Sequence, residues 1–382
     1  MDRGVMLWIR DRSIAGVRHH SASITRCGGT GWRWVWVSRR RAMDDYRLYD
    51  LSLTLLTPLH IGNGRELLNH HDYAVHNGCT WRLNEDALLE AQDVDDPALV
   101  EQLAETSPAE LLQPTDYRSD SAFFRYVIKG TPRSSAPGAI LREQIKDVYD
   151  RPYVPGSTLK GALRTALAWT AWRSLNLRPE RPRLGRDRRF AAQWYEQELF
   201  SEHSGKAPNR DTLRALHVTD SSPLAPDALM LVNARVMNRH GGLGSPIELE
   251  ALRPHSTVSA RLKVDTALFS QWARQYGLNL RWGDLLARLP EVVRSYSARR
   301  LAQERSLYGA ISRAGRLTEF YQKWQEAALS PNGFLLQLGW GTGWEGKTLG
   351  SHLQADEGFM EALLRDYRLA RGKREVGDPF PK

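Results

Sequence analysis

Eight residues near the C-terminal end, 341-GTGWEGKT-348, satisfy G-x-x-x-x-G-K-[ST] letter for letter. In a nucleotide-binding P-loop such glycines bring backbone amides against phosphate, the lysine supplies charge and the final hydroxyl reaches magnesium. A strand-like run, 333-GFLLQLGW-340, precedes the match, and a helix-like run extends from about Gln354 to Leu369. A P-loop, however, opens its domain, and a later strand brings the magnesium-binding carboxylate. The residues after Thr348 read as one helix and a polar tail, without a strand ending in Asp. The match therefore fits a loop contacting the phosphates of a polymer better than an ATPase or GTPase. Gly341 and Gly343 let amides approach an anion, and Lys347 adds a charge. Trp344 stands either to stack on a base or to pack under the loop.

A second stretch, 153-YVPGSTLKGALR-164, places a helix start directly behind Pro155 and Gly156, with Ser157 as its N-cap. Free amides at Gly156, Ser157 and Thr158, together with the positive end of the helix dipole, suit a phosphate. Lys160 and Arg164, four apart, extend that surface by one turn. The plainer alternative is that Ser157 only caps the helix and the two cations are solvated. A third stretch, 57-TPLHIGNG-64, holds His60, Gly62 and Gly64, whose glycines either touch a ligand backbone or permit a tight turn. His60, His70, His71 and Asp220 are candidate general acids or bases. His70 and His71 are adjacent, so in a strand they face opposite sides, and no metal-ligand spacing accompanies them. No catalytic residue, metal ligand or cofactor is assigned.

These stretches need scaffolding elements. Leu51, Leu53 and Leu55 alternate as in a half-buried strand closed by Pro58, and residues 72–84 read as a hairpin turning at 77-NG-78. The acidic block from about Glu85 to Leu112 reads as one or two helices, and 131-TPRSSAPG-138 as a loop. Leu159, Leu163, Ala166, Leu167 and Thr170 form the apolar stripe of a long helix. β-like runs come next at 213–222, 228–236 and 258–264, where Val258, Ala260, Leu262 and Val264 share a face. Two or three helices fill 265–328 before the strand at 333–340. This mixture, with hairpin-length and helical connections in both halves, favours an α+β fold. The expected arrangement is two ferredoxin-like (RRM-like, βαββαβ) domains with helical insertions and glycine-rich loops, over 43–205 and 206–382.

The 382 residues carry a net charge of +9, but it is unevenly placed. Residues 1–42, with nine Arg and two Asp, supply +7 of it. That Trp/Arg-rich leader reads as disordered, or as a start ahead of the true one at Met43; its alternating Trp and Arg could also stack on bases and neutralise phosphates. Elsewhere, Asn84–Asp120 holds eleven acids against one Arg, and Arg178–Arg189 six Arg against two acids. A second basic run spans Arg294–Arg316. Such sorting suggests one face for polyanions and another for protein contacts. No window approaches the length of a membrane span, and two widely separated cysteines exclude a disulfide scaffold and fit a reducing cytoplasm.

The three motifs 57-TPLHIGNG-64, 153-YVPGSTLKGALR-164 and 338-LGWGTGWEGKTLG-350, in this order, resemble the RAMP superfamily of CRISPR-associated proteins. The combination, with 217-HVTDSS-222 and 250-EALRPHSTVSARLKV-264, looks most like the fifth-subunit family of the type III-A Csm effector complex. The resemblance runs from about Tyr46 to Gly350 and implies a non-catalytic, RNA-binding role in antiviral defence. Such a subunit caps the backbone filament at the 3′ end of the CRISPR RNA and helps to mature that end. Implied partners are CRISPR RNA, target RNA, adjacent backbone subunits of the Csm complex and host ribonucleases. Because some superfamily members cut RNA, a metal-independent endoribonuclease is the alternative. One departure is His255 in 253-RPHST-257, where a glycine is expected.

Overall fold

The structure, a computed structural model, describes residues 5–11, 45–92, 105–201, 208–238, 240–327 and 332–369, with isolated positions between them. Twelve strands are described: β1 (Val5–Asp11), β2 (Arg47–Leu55), β3 (Gly62–Leu68), β4 (Tyr73–His76), β5 (Cys79–Leu83), β6 (Phe124–Lys129), β7 (Ile140–Gln144), β8 (Leu216–Val218), β9 (Leu229–Ala234), β10 (Ile247–Leu252), β11 (Thr257–Val264) and β12 (Gly333–Leu336). The helices are α1 (Glu85–Glu90), α2 (Gly156–Ser174), α3 (Gln193–Phe200), α4 (Gln271–Gln275), α5 (Gly283–Ala287), α6 (Leu289–Gly309), α7 (Gly315–Glu326), α8 (Gly343–Lys347), α9 (Gly350–Leu353) and α10 (Glu357–Asp366). The fold is thus a mixture of helices and sheets, as the sequence indicates.

The large sheet has the order β12-β1-β2-β11-β8. In it β11 is antiparallel to both β2 and β8. The path β2–α2–β8, with β11 wedged between the two strands, is therefore a split β-α-β arrangement. It takes β2 from one side of the expected 205/206 boundary and β8 and β11 from the other. The middle sheet, β3-β7-β10-β9, also crosses that boundary, through the parallel pair β7 and β10. Both sheets thus join strands from the two expected domains. Strand partners so distant in sequence leave no local trace, so each half is legible only as strands and helices.

The leader, expected to be disordered or to precede the true start, contributes β1, which pairs with both β2 and β12; the rest of it lies outside the described residues. Since β1 is antiparallel to each, β12 runs parallel to β2 rather than closing the unit against it. The paired helices α6 and α7 return the chain in that direction.

Alternation decides the core. On β2 Leu51, Leu53 and Leu55 are buried, and on β11 Val258, Ala260, Leu262 and Val264, while Ser52, Ser259 and Arg261 are exposed. The buried face packs on the α2 stripe of Leu159, Leu163, Ala166 and Leu167 and on Val292, Val293 and Tyr296 of α6. Asn77 and Gly78 turn the β4–β5 hairpin with φ of 48° and 72°, the positive pair that a tight hairpin requires. His255 likewise adopts φ 66° at the position where a glycine is expected, so the loop keeps its left-handed geometry without one. The acidic block forms α1 and a short 3-10 turn at Pro108–Leu111, with much of the intervening segment outside the described residues.

The start of α2 differs from the expectation in an informative way. The helix begins at Gly156 with Pro155 in the cap position, and Ser157 lies in the first turn without capping it. Asp220 takes that role: its carboxylate accepts the Gly156 N–H at 2.7 Å, and Ser221 Oγ accepts the Val154 N–H at 2.9 Å. The Thr158 and Leu159 amides go to the Pro155 carbonyl at 3.0 and 3.2 Å. A protein carboxylate thus occupies the positive end of the helix. Gly156 is needed for space, since a Cβ there would stand 2.4 Å from the Val218 carbonyl oxygen.

A buried polar network joins the sheets. Glu250 on β10 is 1% exposed. Its carboxylate accepts from Lys146 Nζ at 2.6 Å, Tyr126 Oη at 2.8 Å and the Gln144 N–H at 3.0 Å. Burial and the neighbouring Glu250 carboxylate push the Tyr126 hydroxyl well above its ordinary range, so it stays a donor.

These contacts set the stability of two variants. Lys146→Met leaves Glu250 buried and uncompensated, and should cost about 3–5 kcal/mol in urea unfolding. Adding Glu250→Gln should recover part of that loss, and a double variant no more stable than the single one would contradict the network. Asp220→Ala removes the cap of α2 and should cost about 1 kcal/mol, whereas Ser157→Ala should leave the urea midpoint unchanged.

Candidate nucleic-acid interface

The three motifs are separated by tens of residues in sequence and meet in one groove of about 690 Å³. One wall is the 60–66 turn and strand, the second is the face of α2 carrying Ser157, Thr158, Gly161 and Thr165, and the third is the loop 337–347.

The loop is fastened to the turn by backbone contact. Trp340 N–H donates to the His60 carbonyl at 2.9 Å. Gly339 has φ 78°, and a Cβ there would stand 2.3 Å from the same carbonyl oxygen. The approach therefore excludes any side chain at this position. His60 is itself 3% exposed, its Nδ1 2.6 Å from the Glu250 carbonyl oxygen. On the other side, Ile61 N–H donates to Gln144 Oε1 at 2.8 Å and Asn63 Nδ2 to Glu143 Oε2 at 2.7 Å. Burial opposes ionisation of Glu143, but Lys146 and Asn63 outweigh it and hold the carboxyl below its ordinary range.

The site residues expected from sequence divide clearly. His60, Gly62, Gly64, Ser157, Thr158, Arg164 and Lys347 line the groove. Gly64 has φ 91° with open space around it, where the β3–β7 register shifts between Gly62 and Glu66, whereas Gly62 lies against the His60 ring. Gly156 is buried beneath the groove, its amide committed to Asp220. Lys160 is not among the lining residues; Arg164, one turn on, is, but it pairs with Glu196 at 3.1 Å and covers the Phe200 ring at 4.7 Å. Gly341 and Gly343, with φ of 83° and 73°, line a second groove on the far side of the loop. Trp344 packs under the loop: its ring leaves no room for a Cβ at Gly350, and it joins the cluster of Phe359, Met360 and Leu363.

Sequence reasoning missed Arg65 and Arg142, which line the groove, and Arg188 and Arg189 of the basic connector, which line an adjoining hollow together with Arg164 and Lys347. Arg142 stands 5.9 Å over the Trp340 ring. Arg65 pairs with Asp72 at 2.6 Å and Arg142 with Glu66 at 3.5 Å. Lys347, Arg188 and Arg189 are exposed, and no ion pair is found for them among the described residues.

The P-loop letters fold differently from a P-loop. β12 is an edge strand, antiparallel to its neighbour β1, and the glycine loop runs into α8, a helix of five residues. Thr348 Oγ1 donates to the Trp344 carbonyl at 2.8 Å and accepts the Gly350 N–H at 3.1 Å. Around this loop the described residues build neither the parallel neighbour strand nor the long helix that cradle a nucleotide.

The comparisons with known proteins agree with the motif reading. The Csm5 protein of Mycobacterium tuberculosis (strain H37Rv) is 29% identical over 214 residues, 53% of this chain and 51% of its own length. The Csm5 protein of Streptococcus thermophilus is 27% identical over 248 residues, 58% of this chain and 66% of its own length. The chain thus spans about half the length of the first of these relatives and about two thirds of the second. Among solved structures, a chain of a cryo-EM Csm–crRNA–target RNA ternary complex aligns with TM-score 0.65 and 23% identity over 86% of this chain and 96% of its own. The crystal structure of T. onnurineus Csm5 aligns with TM-score 0.53 and 23% identity over 78% of this chain and 92% of its own. At that identity the two speak for the fold. With its motifs assembled on one groove and the RAMP superfamily profile matching residues 52–345, the chain belongs to the RAMP superfamily.

Proposed function

We propose that this chain is an RNA-binding subunit of a type III-A CRISPR (Csm) effector complex, with the groove holding the sugar–phosphate backbone of the CRISPR RNA. The observation that carries the reading is the convergence of the three motifs on one groove, which continues into the exposed cations Lys347, Arg188 and Arg189. Exposed cations beside glycine-lined walls suit contacts to phosphate and sugar, which position RNA without reading its sequence. The likeness to Csm5 proteins supports the subunit assignment. In this reading the subunit caps the 3′-end side of the CRISPR RNA, next to the backbone subunits, and contributes to maturation of that end.

The reading as a binding rather than a cleaving subunit is supported by the commitments of the candidate acids and bases. His60 is buried with Nδ1 on a backbone carbonyl, and Asp220 caps α2. His70 forms a turn with φ 71°, next to exposed His71.

The test begins with sequencing the RNA that co-purifies with the full chain from its native cells. Short RNAs sharing a repeat-derived 5′ segment are expected. In vitro, Lys347→Ala with Arg188→Ala should weaken binding of unrelated single-stranded RNAs alike, and lower the salt slope of log K by about 0.7 per phosphate contact removed. Lys160→Ala, outside the groove, should leave that slope unchanged. An unaltered slope in the double variant would sink the groove assignment. RNA cleavage abolished by His60→Ala, with binding retained, would favour the endoribonuclease instead.

A further inference from the structure

The glycine-rich loop separates the RNA groove from a second one of about 810 Å³, which the proposed function leaves unused. Its walls are the β9–β10 hairpin, the connection between α6 and α7, and the far side of the loop at Gly341–Gly343. Three arginines from separate elements line it: Arg235 behind β9, Arg313 before α7 and Arg316 in its first turn. All three are exposed, and no ion pair is found for them among the described residues. Glu304, the acidic residue of the lining, is buried and bound to Arg300.

The apolar part of the lining decides between two occupants that arginines would suit. Single-stranded RNA is held on aromatic faces that bases can reach. Here Tyr308 and Tyr321 are 6% and 2% exposed, and the Trp340 ring has Arg142 over it. The large apolar side chains left to solvent are aliphatic, Leu243 at 55% and Val236 at 37% exposed. Exposed aliphatics in a concave surface rimmed by polar groups mark a protein contact, and arginine is the cation enriched at such contacts. Net positive charge at the rim selects carboxylates on the partner.

We propose that this groove docks an acidic amphipathic segment of a neighbouring protein subunit, its apolar side chains on Val236, Leu243 and Leu317 and its carboxylates on Arg235, Arg313 and Arg316. The inference rests on the reading of the chain as one subunit of a larger assembly. It gives the two faces of the glycine-rich loop different ligands, RNA on one and protein on the other.

The test places the photo-cross-linker p-benzoylphenylalanine at Leu243 of the full chain, expressed in its native cells, and sequences the peptide captured on irradiation. A peptide with carboxylates spaced among apolar residues is expected. Arg313→Glu with Arg316→Glu should lower its yield roughly ten-fold, and changing the captured carboxylates to lysine should restore capture by that variant. A cross-link to a nucleotide, a peptide without carboxylates, no cross-link, or a yield indifferent to charge reversal would each overturn the proposal. RNA recovery measured on the same material separates the two readings. Charge-dependent peptide capture without RNA would sink the RNA groove alone, and RNA recovery with a nucleotide cross-link would sink this one alone.

Discussion

A carboxyl group with 1% of its surface in water is tolerated only where partners replace the water, and Glu250 is such a group. Its two oxygens draw Lys146, Tyr126 and the Gln144 amide into one place, which ties β10 to β6 and to the end of β7. The backbone carbonyl of Glu250 then fixes the His60 ring, and the His60 carbonyl takes the Trp340 amide. A continuous series of contacts therefore runs from the ion pair to the crest of the glycine-rich loop. The groove is not a set of loops resting on a core. Its walls are the outer end of a buried network, and a change at Lys146 or Glu250 would reach the groove through the hydrogen bonds at His60 and Trp340.

The same constraint explains why the groove is less basic than its sequence suggests. The positive end of α2 carries Asp220, so the helix contributes side chains to the groove more than free amides. Arg65, Arg142 and Arg164 each have a carboxylate within ion-pair reach, at 2.6, 3.5 and 3.1 Å. The Arg142 and Arg164 pairs are exposed and worth at most about 1 kcal/mol, whereas Asp72 is buried; all three lower the resting field. The cations that give it net sign are Lys347 and the connector residues Arg188 and Arg189. If the groove holds RNA as proposed, so few uncommitted cations would serve best where neighbouring subunits hold the same strand, since linked contacts raise affinity together.

Much of this was legible in the residues and some was not, for a consistent reason. The alternation of β2 and β11, the Asn77–Gly78 turn and the stripe on α2 are local periodicities, and each stands where the sequence puts it. The pairing of β2 with β11 spans some two hundred residues and has no local signature, so the halves read as two units when they share sheets. β10 was missed because Glu248 and Glu250 make its sequence look solvated; Glu250 is buried by partners on other strands. Side-chain destinations fared likewise. Arg164 and Lys160 share a spacing, but which one lines the groove depends on the rotation of α2 against the loop. Gly156 and Trp344 belong to the right motifs, yet each is conscripted for packing.

The P-loop resemblance makes the general point most sharply. Close backbone approach does occur beside it, but at Gly339, two residues ahead of the match, and what approaches there is the chain's own His60 carbonyl. Glu345, a free position in the pattern, is drawn inward by the buried guanidinium of Arg300 at 3.1 Å and by Gln354 at 2.8 Å. Thr348, which would reach magnesium in an NTPase, is used to end α8 and start α9. Letters at fixed spacing specify which backbone shapes are accessible; the neighbouring elements decide which is adopted and what it faces. An edge strand, a buried arginine and a five-residue helix turn the same eight letters into a partition between two grooves.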